Sequence, residues 1–165
     1  MTAIRKAGAK QNMILLPGTD SASAGSFLYD GSAEALLTLK NLDGSTTGLV
    51  FEVHKYLDFD HSGGHNTCSR NNVEVFQDLG NWLREKKRKA LLAETGGGPF
   101  DAGCRKLLCE QLDVLNAYSD VYLGWLGWAA GMFEYGSTLA ETPKKVNGGY
   151  QDVPLVKECI AGKFK

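Results

Sequence analysis

The chain has 165 residues, with 18 Lys and Arg against 19 Asp and Glu, giving a net charge of −1. Its length suits one domain with a substantial core, and 43% hydrophobic and 22% charged residues are ordinary for a globular protein. There is no basic excess to neutralise phosphates, which argues against nucleic acid as a partner. No apolar run approaches the roughly 20 residues of a membrane span, which argues against a membrane.

In chain order, TAIRKAGA reads as the tail of a helix, with Gly8 near its end. It is charged and lacks the apolar middle of a signal peptide, so the chain starts as though inside a protein. MILLPG (Met13–Gly18) reads as a first strand, followed by a long loop, Gly18–Tyr29. GSAEALLTLKNLDG (Gly31–Gly44) predicts a helix, with Ala35, Leu36, Leu39 and Leu42 on one stripe. GLVFEVHKY (Gly48–Tyr56) is a second strand, followed by the long loop DFDHSGGHNTCSRNN (Asp58–Asn72). NNVEVFQDLGNWLREKKRK (Asn71–Lys89) predicts a helix with Val73, Phe76, Leu79 and Leu83 inward. Its basic end, Arg84–Lys89, reads as a solvated helix terminus.

KALLAETG (Lys89–Gly96) is a third strand, and DAGCRKLLCEQLDVLNAYS (Asp101–Ser119) a helix carrying Leu108, Leu112 and Leu115. DVYLGWLGW (Asp120–Trp128) is a fourth strand. A short last helix starts after Asp152, with Pro154 in its first turn, and covers Leu155, Val156 and Ile160. The strands start about 30 to 40 residues apart, the repeat of a β/α unit. The first three are nearly continuous apolar runs, as in parallel strands covered on both faces. Two architectures fit: an open parallel α/β sheet, or half of a (β/α)8 barrel, since a full barrel takes about 250 residues. No internal repeat or linker divides residues 1–165.

Four cysteines, Cys68, Cys104, Cys109 and Cys159, allow two disulfides in three pairings. Cys104 and Cys109 lie about 140° apart on one predicted helix, which disfavours a mutual bridge. The alternatives are bridges from that helix to Cys68 and Cys159, implying an extracellular protein, or four buried thiols. No CxxC pair exists, so no zinc ribbon is expected, and no metal or cofactor is expected.

The strand ends carry the chemistry. His54 and Tyr56 are two residues apart and share a face. Glu94 ends the third strand and Trp128 the fourth. In parallel sheets these ends form one rim, where α/β proteins place function. Taken singly, a strand-end His or Tyr is more often structural. A strand-end Glu is more telling, because a carboxylate avoids burial unless paired or working. Trp82 and Trp125 read as packing residues. Gly96–Gly98 invite a phosphate reading, but GxxxxGK[ST] and GxGxxG are absent and Glu94 would repel phosphate. The glycines more simply permit close approach of backbone or a flat ligand.

The segments DGSTTGLVFEVHKYLDFDHSGGHNTC, LLAETGGG, SDVYLGWLGWAAGMF and ETP occur in this order and resemble the fungal endoglucanases of glycoside hydrolase family 5. The resemblance runs from AIRKAGA to VKECIAG. It implies the C-terminal half of a (β/α)8 TIM barrel, strands five to eight, from a secreted, retaining endo-β-1,4-glucanase. By this match Glu94 falls on the nucleophile, His54 and Tyr56 on a His-x-Tyr pair, and Trp128 on a sugar-stacking Trp. The cysteine pattern implies Cys68–Cys104 and Cys109–Cys159. The partner implied is β-1,4-glucan (cellulose). Tyr56 would hold the rotamer of Glu94, and His54 would orient the sugar or tune a second carboxyl.

A retaining glycosidase needs two carboxyl groups about 5–5.5 Å apart. The family's acid/base Glu follows an Asn, and no Asn-Glu-Pro occurs here, so the isolated chain is expected to be inactive or very weak. Asp20, Asp58, Asp60 and Glu134 follow predicted strands as substitute acids, with nothing in the spacing favouring one. Asp20, in the LPG-x-Asp segment, is also a substrate-binding candidate. It is followed by Ser21 where relatives often carry an aromatic, so a sugar platform there is weaker or missing. Two other functions compete. One is a non-catalytic half-barrel that binds glucan, or associates with an N-terminal half-barrel or with itself through open sheet edges. The other is an open α/β protein binding a phosphorylated ligand at Gly96–Gly98.

Overall fold

The apolar runs form four parallel strands: β1 (Ile14–Pro17), β2 (Leu49–His54), β3 (Lys89–Thr95) and β4 (Tyr122–Gly127). They lie side by side in the order β1-β2-β3-β4. The structure is a computed structural model that describes residues 1–131 and 133–164. Met132, within the SDVYLGWLGWAAGMF segment, and Lys165 lie outside the described residues. Sequential parallel order with helical crossovers is the arrangement of half a (β/α)8 barrel. Among the described residues β1 and β4 have no outer neighbour, and Leu123 and Leu126 on β4 stand 46% and 53% exposed.

Helix α1 (Thr2–Lys6) precedes β1, and α2 (Ser32–Leu37), α3 (Val73–Lys86) and α4 (Ala102–Ala117) fill the connections. Phe76, Leu79 and Leu83 of α3 and Leu108, Leu112 and Leu115 of α4 are buried and share a core with Phe51, Val53 and Leu92. The i, i+3, i+4 spacing of these side chains turns one face of each helix onto the sheet. Asp101 starts α4 by accepting a hydrogen bond from the Cys104 N–H at 2.7 Å. Phe27, Phe51 and Trp82 form an aromatic cluster with centroids 5.3–6.0 Å apart, and Trp125 is buried.

Two bonds tie the outer layer together. Cys68 is joined to Cys104 and Cys109 to Cys159. The first anchors the long loop after β2 to α4. The second anchors α4 to the closing π-helical turn, Val156–Ile160, beside buried Leu155.

Two expectations are corrected, and one element is new. The helix expected over Gly31–Gly44 stops at Leu37. The Thr38 hydroxyl bonds back to the Ala35 carbonyl, Asn41 holds a turn through Ser45 and Thr47, and Leu42 is left 59% exposed. The basic run Arg84–Lys89 is not wholly solvated. Lys87 takes a left-handed conformation, φ 53°, which ends α3 and swings Arg88 inward. Arg88 is only 4% exposed, with its guanidinium 4.3 Å from the Phe51 ring centroid and no partner at Nε or Nη2. Finally, an antiparallel hairpin, β5 (Lys144–Val146) with β6 (Gly149–Gln151), was not expected. Its turn is Asn147-Gly148, a hairpin dipeptide.

Candidate active site

Glu94 reaches the rim through a break in register. Val53 pairs with Leu92, but the next residue, His54, pairs with Glu94. Ala93 is therefore extra, a bulge that re-aims the strand. Simple alternation would put Glu94 on the same face as Leu92, which is fully buried in the core. The bulge instead turns it to the face of His54 and Tyr56.

Behind the rim a buried polar chain holds the strand ends. The Asn72 amide donates to the Tyr56 carbonyl at 3.1 Å and to Gln111 Oε1 at 2.8 Å. The Gln111 amide donates to Thr95 Oγ1 at 2.9 Å. Asn72, Thr95 and Gln111 are all buried. The residues on either side of the Tyr56–Glu94 pair are thus fixed from the helix side, as a preorganised site requires.

On the open side, the Tyr56 hydroxyl donates to Glu94 Oε2 at 2.8 Å. Burial and this bond push the Tyr56 phenol far above its ordinary value, so it stays a donor. His54 Nε2 lies 3.1 Å from Glu52 Oε1, its neighbour on the same strand face. His54 Nδ1 lies 3.7 Å from Glu94 Oε2, beyond hydrogen-bond distance.

These groups line a cleft of about 610 Å³ across the carboxyl ends of the strands. At its β4 end stands Trp128, 43% exposed. Its backbone N–H donates to the Thr95 carbonyl at 2.8 Å, and the segment from Leu139 to Glu141 clamps the following residue through Ala129 N–Leu139 O and Glu141 N–Ala129 O. At the β1 end the cleft is polar, lined by Asp20, Ser21, Ser23 and Lys55, with Asp60, His61 and Ser62 from the loop after β2. Asp20, Ser21 and Ala22 form a tight turn with φ of 50°, 52° and 58°. Three consecutive left-handed non-glycine residues are costly, and such strain gathers at functional sites.

The glycines after Glu94 serve packing. A Cβ on Gly96 would lie 2.8 Å from the Trp128 carbonyl oxygen, one on Gly97 2.8 Å from Cys68 Sγ, and one on Gly98 would strike the Asn66 carbonyl. The room they leave is taken by protein, which removes the physical basis for a phosphate cradle.

All the site residues picked from the sequence, Asp20, His54, Tyr56, Glu94 and Trp128, line this one cleft. Of the substitute acids, Asp20 and Asp60 line it too. Asp58 is buried beneath its own loop and Glu134 is exposed outside the cleft lining. Three residues were missed. Glu52 meets His54, a pairing visible as i, i+2 on a strand. Lys55 is 6% exposed, and burial lowers its pKa. Glu141, the Glu of the ETP segment, packs its carboxylate against Gly127 with Oε1 unpartnered, and burial lifts its pKa to about 7.

Asp58, Asp60 and His65 bring their ligand atoms within 4.8 Å of one another. Asp58, however, already accepts from Gly63 N, Ser62 Oγ, His65 N and His65 Nδ1. Its lone pairs hold the loop, so the trio is a staple rather than an open donor set.

Residues 1–131 match the family model for Cellulase (glycosyl hydrolase family 5). The chain is 50% identical over 164 residues to Endoglucanase EG-II of Hypocrea jecorina, covering 99% of the chain and 39% of that relative, in its C-terminal part. It superposes on the crystal structure of Cel5A (EG2) from Hypocrea jecorina with a TM-score of 0.92 and 50% identity, over 96% of the chain and 48% of that one. It superposes on XacCel5A in complex with cellopentaose with a TM-score of 0.81 and 35% identity, over 94% of the chain and 50% of that one. The chain thus spans about two fifths of its full-length relative and half of each solved domain. With its four β/α units, its rim and its cleft, this chain belongs to glycosyl hydrolase family 5.

Proposed function

We propose that residues 1–165 are part of the catalytic domain of a secreted, retaining endo-β-1,4-glucanase and supply its nucleophile, Glu94. The observation that carries this reading is the Tyr56–Glu94 hydrogen bond, 2.8 Å long, in a cleft that also presents Trp128. The substrate is a β-1,4-linked glucan, a reading supported by the cellopentaose held by one structural relative. The pairing of all four cysteines supports an oxidising, extracellular setting.

In this mechanism a Glu94 carboxylate oxygen bonds to the anomeric carbon as the glycosidic C–O bond breaks. The leaving oxygen takes a proton from an acid carboxyl, and the same group later takes a proton from the water that releases the sugar. Tyr56 holds the attacking carboxylate in one rotamer. His54, joined to Glu52, presents a ring nitrogen toward Glu94 and the sugar. Trp128 offers an apolar face to a pyranose ring and excludes water. We assign the acid to the complementary half-barrel, which would close against β1 and β4. Without that acid the chain alone loses about 10²–10⁴-fold in rate on unactivated glucan.

An activated glycoside separates these roles, because 2,4-dinitrophenolate leaves without protonation. The 165-residue chain is incubated with 2,4-dinitrophenyl 2-deoxy-2-fluoro-β-cellobioside and mapped by mass spectrometry. Glycosylation of Glu94, absent in Glu94→Gln, is the expected result. A folded chain that stays unlabelled, or is labelled elsewhere, overturns the assignment. On carboxymethylcellulose the chain alone should release little reducing sugar. Activity there that vanishes in Glu94→Gln would show that the chain supplies or recruits its own acid.

A further inference from the structure

Lys55 has no role in the mechanism above, yet its placement is unusual. The residue is only 6% exposed. Among the described residues its ammonium meets no carboxylate and no carbonyl at bonding distance. The stem is packed away while the ammonium opens into the cleft, so the charge is offered to whatever occupies it. Burial accordingly depresses its pKa, while Asp20 opposes that effect.

The local fold shows where this ammonium is held. Lys55 follows His54 and points to the opposite face of β2. The loop after β1 comes back beside that strand end, with Ser23 bridging His54 and Ala24 N donating to the His54 carbonyl at 2.9 Å. The Lys55 stem lies beneath this loop. Gly25 leaves the space for its tip, since a Cβ there would lie 2.8 Å from Nζ. The left-handed turn at Asp20–Ala22 sets Asp20 on the same end of the cleft.

The β1 end therefore presents a cation and a carboxylate that do not pair with each other, flanked by the hydroxyls of Ser21 and Ser23. An acceptor and a donor held apart in one cleft suit a ligand that both donates and accepts. Neighbouring hydroxyls of a sugar do this: one donates to the carboxylate and the other accepts from the ammonium. The adjacent Asp20 and Asp60 make the same end a poor host for an anionic substituent.

We infer that Lys55 and Asp20 together bind the hydroxyls of an uncharged glucose unit at the β1 end of the cleft, the end opposite Trp128 in strand order. Lys55 is thus a substrate-positioning residue, and this end of the cleft holds sugar by polar contacts. The inference rests on the glucan-cleft reading above and names the chemistry of one of its ends.

Cellotetraose is titrated calorimetrically into the folded chain, Lys55→Met, Gly25→Ala and Trp128→Ala. Met keeps the buried stem and removes the charge. Ala at position 25 keeps the charge and displaces it. Loss of a charged hydrogen bond predicts about tenfold or more weaker binding for Lys55→Met, with weakening in Gly25→Ala and thermal midpoints close to wild type. If Trp128→Ala weakens binding while Lys55→Met and Gly25→Ala match wild type, the Lys55 assignment is overturned and the cleft reading stands. If the folded wild-type chain binds no cellotetraose, both fall.

Discussion

The hydroxyl of Tyr56 and the carboxylate of Glu94 meet at 2.8 Å, joining the end of β2 to the end of β3 across a bulge. Replacing Tyr56 with Phe keeps the ring and deletes the hydroxyl that donates to Glu94, the proposed nucleophile. A hydrogen bond to a charged group contributes about 1.5–3 kcal/mol. Glu94 labelling by the activated fluoroglycoside should therefore slow by about 10–100-fold, with the fold intact by circular dichroism. Labelling at the wild-type rate would show that the bond does not position Glu94 for attack.

Glu141 makes a pH-dependent contribution. Its carboxyl rises from an ordinary 4.5 to about 7 because burial disfavours the charge. The fold therefore favours the protonated form. That stability is full below about 4.5 and is lost as pH rises through about 7. Glu141→Gln cannot ionise, so its thermal midpoint should gain on wild type by a few degrees between the acidic and neutral limits. A constant gap between the two proteins across that window would contradict the assignment.

Gly98 is fixed by contact rather than by turn geometry. An added methyl would strike the Asn66 carbonyl, and backbone cannot yield as a flexible side chain can. Gly98→Ala should cost about 1–3 kcal/mol, read from the urea midpoint. Unchanged stability would mean the loop carrying Asn66 shifts freely.

Arg88 offers the opposite case. Its guanidinium is buried with two nitrogens unpartnered, offset by the face of Phe51. Exchanging an unsatisfied buried charge for an apolar chain of similar length is often neutral or stabilising. Arg88→Met should leave the urea midpoint unchanged or raise it by about 1 kcal/mol in stability. A large loss would reveal that the cation–aromatic contact outweighs the desolvation.

The strands and the candidate cleft were legible because their signals are local. Apolar runs bounded by glycine mark β1 to β4, and parallel order sends His54, Tyr56, Glu94 and Trp128 to one rim. The rest depended on contacts distant in sequence. Helical periodicity through Leu42 could not show that Asn41 prefers a turn with Ser45. A basic run at a helix end does not reveal that Lys87 reverses the chain and buries Arg88. Lys55 looks like an outward residue by alternation, and only the returning loop at Ser23–Gly25 makes it part of the cleft. Glu141 lies 47 residues beyond Glu94 by number, in a segment without a periodic pattern. The hairpin turn, by contrast, has a local signal of its own in the Asn147-Gly148 dipeptide.

Gly97 rests against the sulfurs of Cys68 and Cys104. The turn that follows Glu94 thus has a back wall made by a redox reaction rather than by packing alone. Forming that wall takes two electrons from a pair of thiols, so the surroundings of the carboxylate are complete only in the oxidised chain. A newly made chain held in a reducing compartment would carry every residue of the site and still lack the finished wall behind it.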